Sequence, residues 1–257
     1  MVGPEPVRLC TDDEIVLTAD YYTRVSAGPS YLLAHGFTGS IDRPEVQAVA
    51  HRLLERGNSV LAVNFRGHGT SEGLSSIGPD EVHDVTAGLA WLRAKRPGVP
   101  VVTLGFSMGA SVVIRQAGLA AQRGADQPDA VIAVSGPGRW YERGTKPMRR
   151  LHFGAETRLG KWLLARAFAT RIGDGWELLP VSPVEVAGDI TAPALIVHGD
   201  ADPYFPLEHP RMLAGVIAGA TLWIEPGMGH AENATSLELV DRMDEWAHTA
   251  LSGIIAG

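Results

Sequence analysis

Four apolar or β-branched residues, Val101-Val102-Thr103-Leu104, run straight into Gly105-Phe106-Ser107-Met108-Gly109. A helix-period pattern through Val112, Val113, Ala117 and Ala120 follows. A strand that passes within five residues into a helix has to turn very tightly. The turn forces Ser107 into an unfavourable backbone conformation with its hydroxyl held outward, a nucleophile elbow. Such strain costs on the order of 1–3 kcal/mol and persists only where the surroundings impose it. Glycine is required at 105 and 109 because a side chain there would collide with the neighbouring strand or helix. With 30 Gly and 13 Ser in 257 residues, G-x-S-x-G arises by chance in about one such chain in five. Its context therefore has to carry the reading: a strand before it, a helix after it, and later partners in the order serine, acid, histidine.

The rest of the chain has that context. Two short strands are expected over residues 7–22, around the turn at Asp12-Asp13. Tyr31–Ala34, Val60–Val63, Ala130–Val134, Ala194–Val197 and Thr221–Ile224 read as buried strands, being short continuous apolar runs. Helical patterns separate them, from about Pro44 to Gly57, Pro79 to Lys95, Leu207 onward and Ser236 to Leu251. Alternation of apolar strands with helices implies a mostly parallel central sheet covered by helices on both faces, an α/β fold. The rhythm breaks between Gly136 and Pro180, where one helix with Leu159, Trp162, Leu163, Ala167 and Phe168 is expected. The expected organisation is thus a core of residues 1–136 and 181–257 with an insertion at 137–180.

Two loops supply partners for a serine, which is a poor nucleophile until a base takes its proton. The strand Ala194–Val197 runs into His198-Gly199-Asp200-Ala201-Asp202, and Thr221–Ile224 into Pro226-Gly227-Met228-Gly229-His230. Both loops lie at the C-terminal ends of parallel strands, the edge where open α/β sheets place their sites, and Ser107 lies there too.

These pieces, with His35-Gly36-Phe37 and Arg66-Gly67-His68-Gly69-x-Ser71, resemble the α/β-hydrolases, particularly the esterase, lipase and thioesterase-like serine enzymes. The likeness covers most of the chain outside roughly 137–180. It implies Ser107 as nucleophile, Asp202 as triad acid and His230 as general base. It also implies an oxyanion hole from the backbone N–H groups of Phe37 and Met108. Asp200 competes with Asp202, and the family's spacing from Gly199 favours Asp202. His35, His68 and His198 sit in loop motifs where structural roles dominate. In the family an insertion in the place of 137–180 covers the active site as a short helical cap. Trp140, Phe153, Trp162 and Tyr204 are then candidates for the substrate pocket.

Composition bounds the function. Hydrophobic content of 45%, charged content of 20% and a net charge of −7 describe an ordinary globular domain with no general affinity for nucleic acid. The remaining histidines, His51, His83, His152, His209 and His248, show no metal-ligand spacing, so neither metal nor cofactor is expected. Cys10 stands alone, which fits a reducing compartment, and neither a leader sequence nor a membrane span is apparent, so a cytoplasmic location is expected. Residues 137–180 depart from the average. They hold nine basic and four acidic residues, hence +5 against −12 elsewhere, and six of the 17 aromatics. A basic pocket rim selecting acidic acyl substrates is one reading of that charge, and a solvated basic face is the other.

The resulting expectation is a serine hydrolase of carboxylic ester or thioester bonds in small to medium acyl substrates. Other serine-triad chemistry on the same scaffold, such as a peptidase or carbon–carbon bond hydrolase, or a non-catalytic binding protein, stays open because fold and triad do not fix the substrate.

Overall fold

The computed structural model describes residues 3–24, 28–140, 142–174 and 179–255. Its centre is an eight-stranded sheet: β1 (Glu5–Cys10), β2 (Val16–Tyr22), β3 (Ser30–Ala34), β4 (Ser59–Val63), β5 (Val101–Phe106), β6 (Ala130–Val134), β7 (Ala194–Gly199) and β8 (Thr221–Glu225). The spatial order is β1-β2-β4-β3-β5-β6-β7-β8. β1 and β2 pair antiparallel, β2 meets β4 antiparallel, and every later neighbour pair is parallel. Each strand read from the sequence is present.

The continuous burial of β3 through β7 follows from helices on both faces, and successive side chains serve opposite cores. Leu32, Ala34, Val131 and Ala133 face one core with Val85, Leu89 and Leu92 of α2 (Glu81–Lys95) and the apolar side of α3 (Met108–Arg123). Tyr31, Leu33, Ile132 and Val134 face the other, with α1 (Pro44–Glu55) and the last helix, Leu237–Ile255. That last helix is tied down by Asp244, which is almost fully buried. Its carboxylate accepts from the Tyr31 hydroxyl at 2.7 Å, Asn58 Nδ2 at 2.9 Å and Arg56 Nε at 2.6 Å.

After β6 the chain leaves the sheet and returns at β7. The segment contains two helices where the sequence pattern suggested one: α4 (Lys146–Glu156) and α5 (Arg158–Phe168). Thr157 separates them, ending α4 and capping α5 by accepting the Gly160 N–H at 3.0 Å. The helices cross where Gly160 lies against the Gly154 backbone, too close for a side chain. The low hydropathy and basic residues of α4 hid its apolar stripe from a pattern search. The segment is anchored to the loop after β4, with Arg171 N–H donating to Gly67 O at 2.7 Å and Ser75 N–H to Arg171 O at 2.8 Å. The remaining α-helices among the described residues are α6 (Pro183–Ala187), α7 (Glu208–Val216) and α8, the Leu237–Ile255 helix, with a 3-10 turn at Ala231–Ala234 before the last. Among the described residues no helix is long and apolar enough to cross a membrane.

Candidate active site

Four loops leave the C-terminal ends of β3, β5, β7 and β8 and converge above the sheet. Ser107 follows β5 with φ 50° and ψ −114°, the strained conformation that the Gly105 and Gly109 pair implies. A side chain at 105 would overlap the Gly109 carbonyl, and one at 109 the Ala34 carbonyl of β3. Thr38, Ser135 and Ala231 on the surrounding loops also have positive φ, so four of the seven such non-glycine residues among those described lie around this edge.

The three side chains implied by the motifs meet. His230 Nε2 stands 2.8 Å from Ser107 Oγ, and His230 Nδ1 stands 2.7 Å from Asp202 Oδ2. Asp202 Oδ1 accepts the N–H groups of Tyr204 at 2.7 Å and Phe205 at 3.2 Å. Burial pushes the Asp202 pKa up, but the His230 hydrogen bond and charge outweigh it and hold the carboxyl below its ordinary value. An ionised Asp202 accepts the Nδ1 proton, which leaves Nε2 bare toward the serine hydroxyl. The imidazole is further fixed by the Tyr204 ring, stacked at 4.3 Å, and by Phe205 at 5.7 Å. Asp200 takes no part: its Oδ1 accepts the Gly227 N–H at 2.6 Å in a turn.

Phe37 and Met108 both line the cavity in front of Ser107, and the backbone N–H of neither makes a hydrogen bond to another described residue. Met108 is the first residue of α3, so its N–H adds the helix dipole to its own. The preceding loop is braced by two groups. His35, fully buried, has one ring nitrogen 2.8 Å from Gly36 O and accepts the Phe65 N–H at 3.2 Å with the other. Burial and the neighbouring His68 lower its pKa to about 3, so it is neutral. The Glu232 carboxylate accepts the Gly36 N–H at 3.2 Å. Glu232 escaped the sequence reading, because a glutamate two positions past His230 forms no pattern. Glu81 escaped likewise. Its carboxylate gathers the Ser75 and Ser76 hydroxyls and the Gly78 N–H, at 2.6, 2.8 and 2.7 Å, and so shapes a wall of the site.

Two cavities open on Ser107. The first, about 170 Å³, is mostly apolar and is lined by Ile77, Met108, Trp140, Met148, Ile172 and Phe205 among others. The second, about 220 Å³, passes between Thr38, Leu164, Phe168, Tyr204, His230 and Glu232. Trp140 lines the first cavity and Tyr204 the second. Phe153 and Trp162 line neither: they are 59% and 58% exposed, because α4 and α5 turn those faces outward. The charge of the first cavity also departs from a basic rim. Arg139 borders it, but so do Glu142, Glu156 and Asp174, while most basic residues of 137–180 point elsewhere. Tyr141, Trp176 and Glu177 lie outside the described residues. Away from this edge, Asp12, Asp13 and His83 bring possible metal-ligand atoms within 4.8 Å, a grouping the sequence spacing did not suggest. Both oxygens of Asp13 are taken by the Arg66 guanidinium, at 2.6 and 2.9 Å.

Residues 29–175, more than half of the chain, match the family described as Serine aminopeptidase, S33 (Hydrolase_4). The chain belongs to that family of α/β-hydrolases. The chain is 30% identical over 167 residues to the uncharacterized protein YqkD of Bacillus subtilis (strain 168), covering 63% of this chain and 52% of that protein. It is 35% identical over 80 residues to the uncharacterized protein RP471 of Rickettsia prowazekii (strain Madrid E), covering 31% and 34%. The chain thus spans about half or less of the length of the curated relatives it matches. Its fold is that of the Pyrococcus furiosus esterase Pf2001, with a TM-score of 0.73, 23% identity, and coverage of 96% of this chain and 93% of that one.

Proposed function

We propose that the protein is a serine hydrolase cleaving carboxylic ester or thioester bonds of small to medium acyl substrates. The observation that carries the reading is the unbroken Asp202–His230–Ser107 relay, 2.7 and 2.8 Å long, at a cavity also lined by Phe37 and Met108, whose amides pair with no described residue. Ser107 Oγ attacks the acyl carbonyl as His230 Nε2 takes its proton. The Phe37 and Met108 amides receive the developing oxyanion, and losing one such donor typically removes ~2.7–4 kcal/mol of transition-state stabilisation. His230 then protonates the leaving alcohol or thiol, deprotonates a water, and the acyl-enzyme is released as a carboxylic acid. The two cavities suit this division, one for the acyl group and one for the leaving group. Residues 137–180 act as a cap in this reading, since Trp140, Met148 and Leu151 line the same cavity as Ser107.

A second reading is favoured by one observation. Glu142, Glu156 and Asp174 border the first cavity and would attract a cationic amine, as in an aminopeptidase substrate. Nitrophenyl esters of increasing chain length, an acyl thioester and an aminoacyl nitroanilide, assayed side by side, separate the two. Turnover of esters or thioesters, absent in Ser107→Ala, supports the first reading. Turnover confined to the aminoacyl substrate supports the second and sinks the first.

A further inference from the structure

The outer face of the α4–α5 pair lies mostly outside the two cavities, and its composition is unusual for a solvated surface. Phe153, Leu159, Trp162 and Leu163 are between 47% and 60% exposed there. Leu159, Trp162 and Leu163 fall at i, i+3 and i+4 on α5 and so share one side of it, and exposed large apolar side chains grouped in this way mark an interaction surface. On the same two helices Arg149, Arg150, Arg158 and Arg166 make no ion pair with a described carboxylate, and the Arg166 guanidinium lies 6.0 Å from the Trp162 ring centre. The first turns of both helices contain no acid, while Lys146 and Arg158 occupy their first positions. Cations at a helix N-terminus oppose the helix dipole, so this arrangement costs stability and concentrates positive potential. The segment is +5 on a chain of −7, which fixes where an anionic partner is attracted.

We propose that this face docks onto an anionic lipid surface, with Trp162, Phe153, Leu159 and Leu163 entering the headgroup boundary and the arginines facing lipid phosphates. Apolar and aromatic side chains flanked by arginine are the composition that lies in a membrane interface plane, and each basic residue near an anionic leaflet adds to binding. A second copy of the chain is a poor occupant, since it would bring two +5 faces together. The face also adjoins the site: Arg150, Leu164 and Phe168 border the second cavity, so an amphiphile leaving the surface there has a direct path to Ser107. Docking does not depend on which reaction Ser107 performs.

The test is co-sedimentation of the full chain with phosphatidylcholine vesicles, with and without about a third phosphatidylglycerol. The protein should pellet with the anionic vesicles at low salt and not with the neutral ones. High salt should release it. Arg158→Gln with Arg166→Gln should weaken partitioning by about twenty-five-fold, about five-fold for each charge. Trp162→Ala, on an exposed position that leaves folding intact, should weaken it as well. Protein that stays in the supernatant with both vesicle types overturns the proposal, as does equal binding to neutral and anionic vesicles. A dimer in vesicle-free buffer that Trp162→Ala dissociates also overturns it, because a second copy then covers the face.

Discussion

Asp202 holds His230 with one oxygen and two loop amides with the other, so a single carboxylate fixes both the tautomer and the loop that presents it. Asp202→Asn should lower kcat by on the order of 10³–10⁴, since the amide can no longer hold the bare nitrogen toward the serine. Asp200→Asn, two residues away, should leave kcat within about two-fold, because its oxygen only closes a turn. Steady-state kinetics on the two variants check the assignment, and the reverse order of effects would contradict it. Glu232 gives a second contrast. Without its hydrogen bond to Gly36 the Phe37 amide loses its brace, so Glu232→Ala should reduce kcat about ten-fold or more while Glu232→Gln, which still offers a carbonyl oxygen, retains most of it. Equal loss in both would point to the charge and not to the bond. Ser107, His230 and Asp202 could be picked out of the sequence because each follows the C-terminal end of a strand at the same sheet edge. Glu232 could not, because its partner is a backbone amide brought near only by the fold, and Glu81 could not, because its partners, though only three to six residues before it, are hydroxyl and backbone groups that form no motif.

The elements that carry the site are held by buried charge. Arg66, at the start of the loop after β4, donates through its N–H and Nε to both oxygens of Asp84 on α2, at 2.8 and 2.9 Å, and through its other nitrogens to Asp13 between β1 and β2. Removing one partner of such a buried pair costs about 3–5 kcal/mol. Asp84→Ala should therefore lower the unfolding free energy by that order in a urea titration, and a change under 1 kcal/mol would show that Asp13 alone suffices. The strands and most helices could be read from apolar runs and their spacing. α4 could not, since its buried side contributes only Met148 and Ala155 and basic residues fill the rest. The expectation that Phe153 and Trp162 enter the pocket failed for a related reason: an aromatic at helical spacing marks a face but not which side of the helix the core occupies.

At the scale of the whole molecule, buried histidines set the response to acid. Burial lowers the pKa of His35 to about 3, and lowers those of His68, His198 and His209. An unfolded histidine titrates near 6.5. Between there and the folded values the unfolded chain binds protons that the folded chain does not, so stability falls as pH falls through this window. Asp202, whose pKa is depressed, acts in the same direction only below about pH 4, its contribution being present above that. The thermal midpoint should drop steadily from pH 6.5 to 4.5, and a midpoint unchanged over that range would contradict the neutral burial of these rings. The assembled site itself is tested most directly by treating the folded protein with a fluorophosphonate and mapping the adduct by mass spectrometry. A single adduct on the peptide containing Ser107, absent in His230→Ala, is the predicted result. No adduct on folded protein, or one on a different serine, would contradict the activated nucleophile at 107.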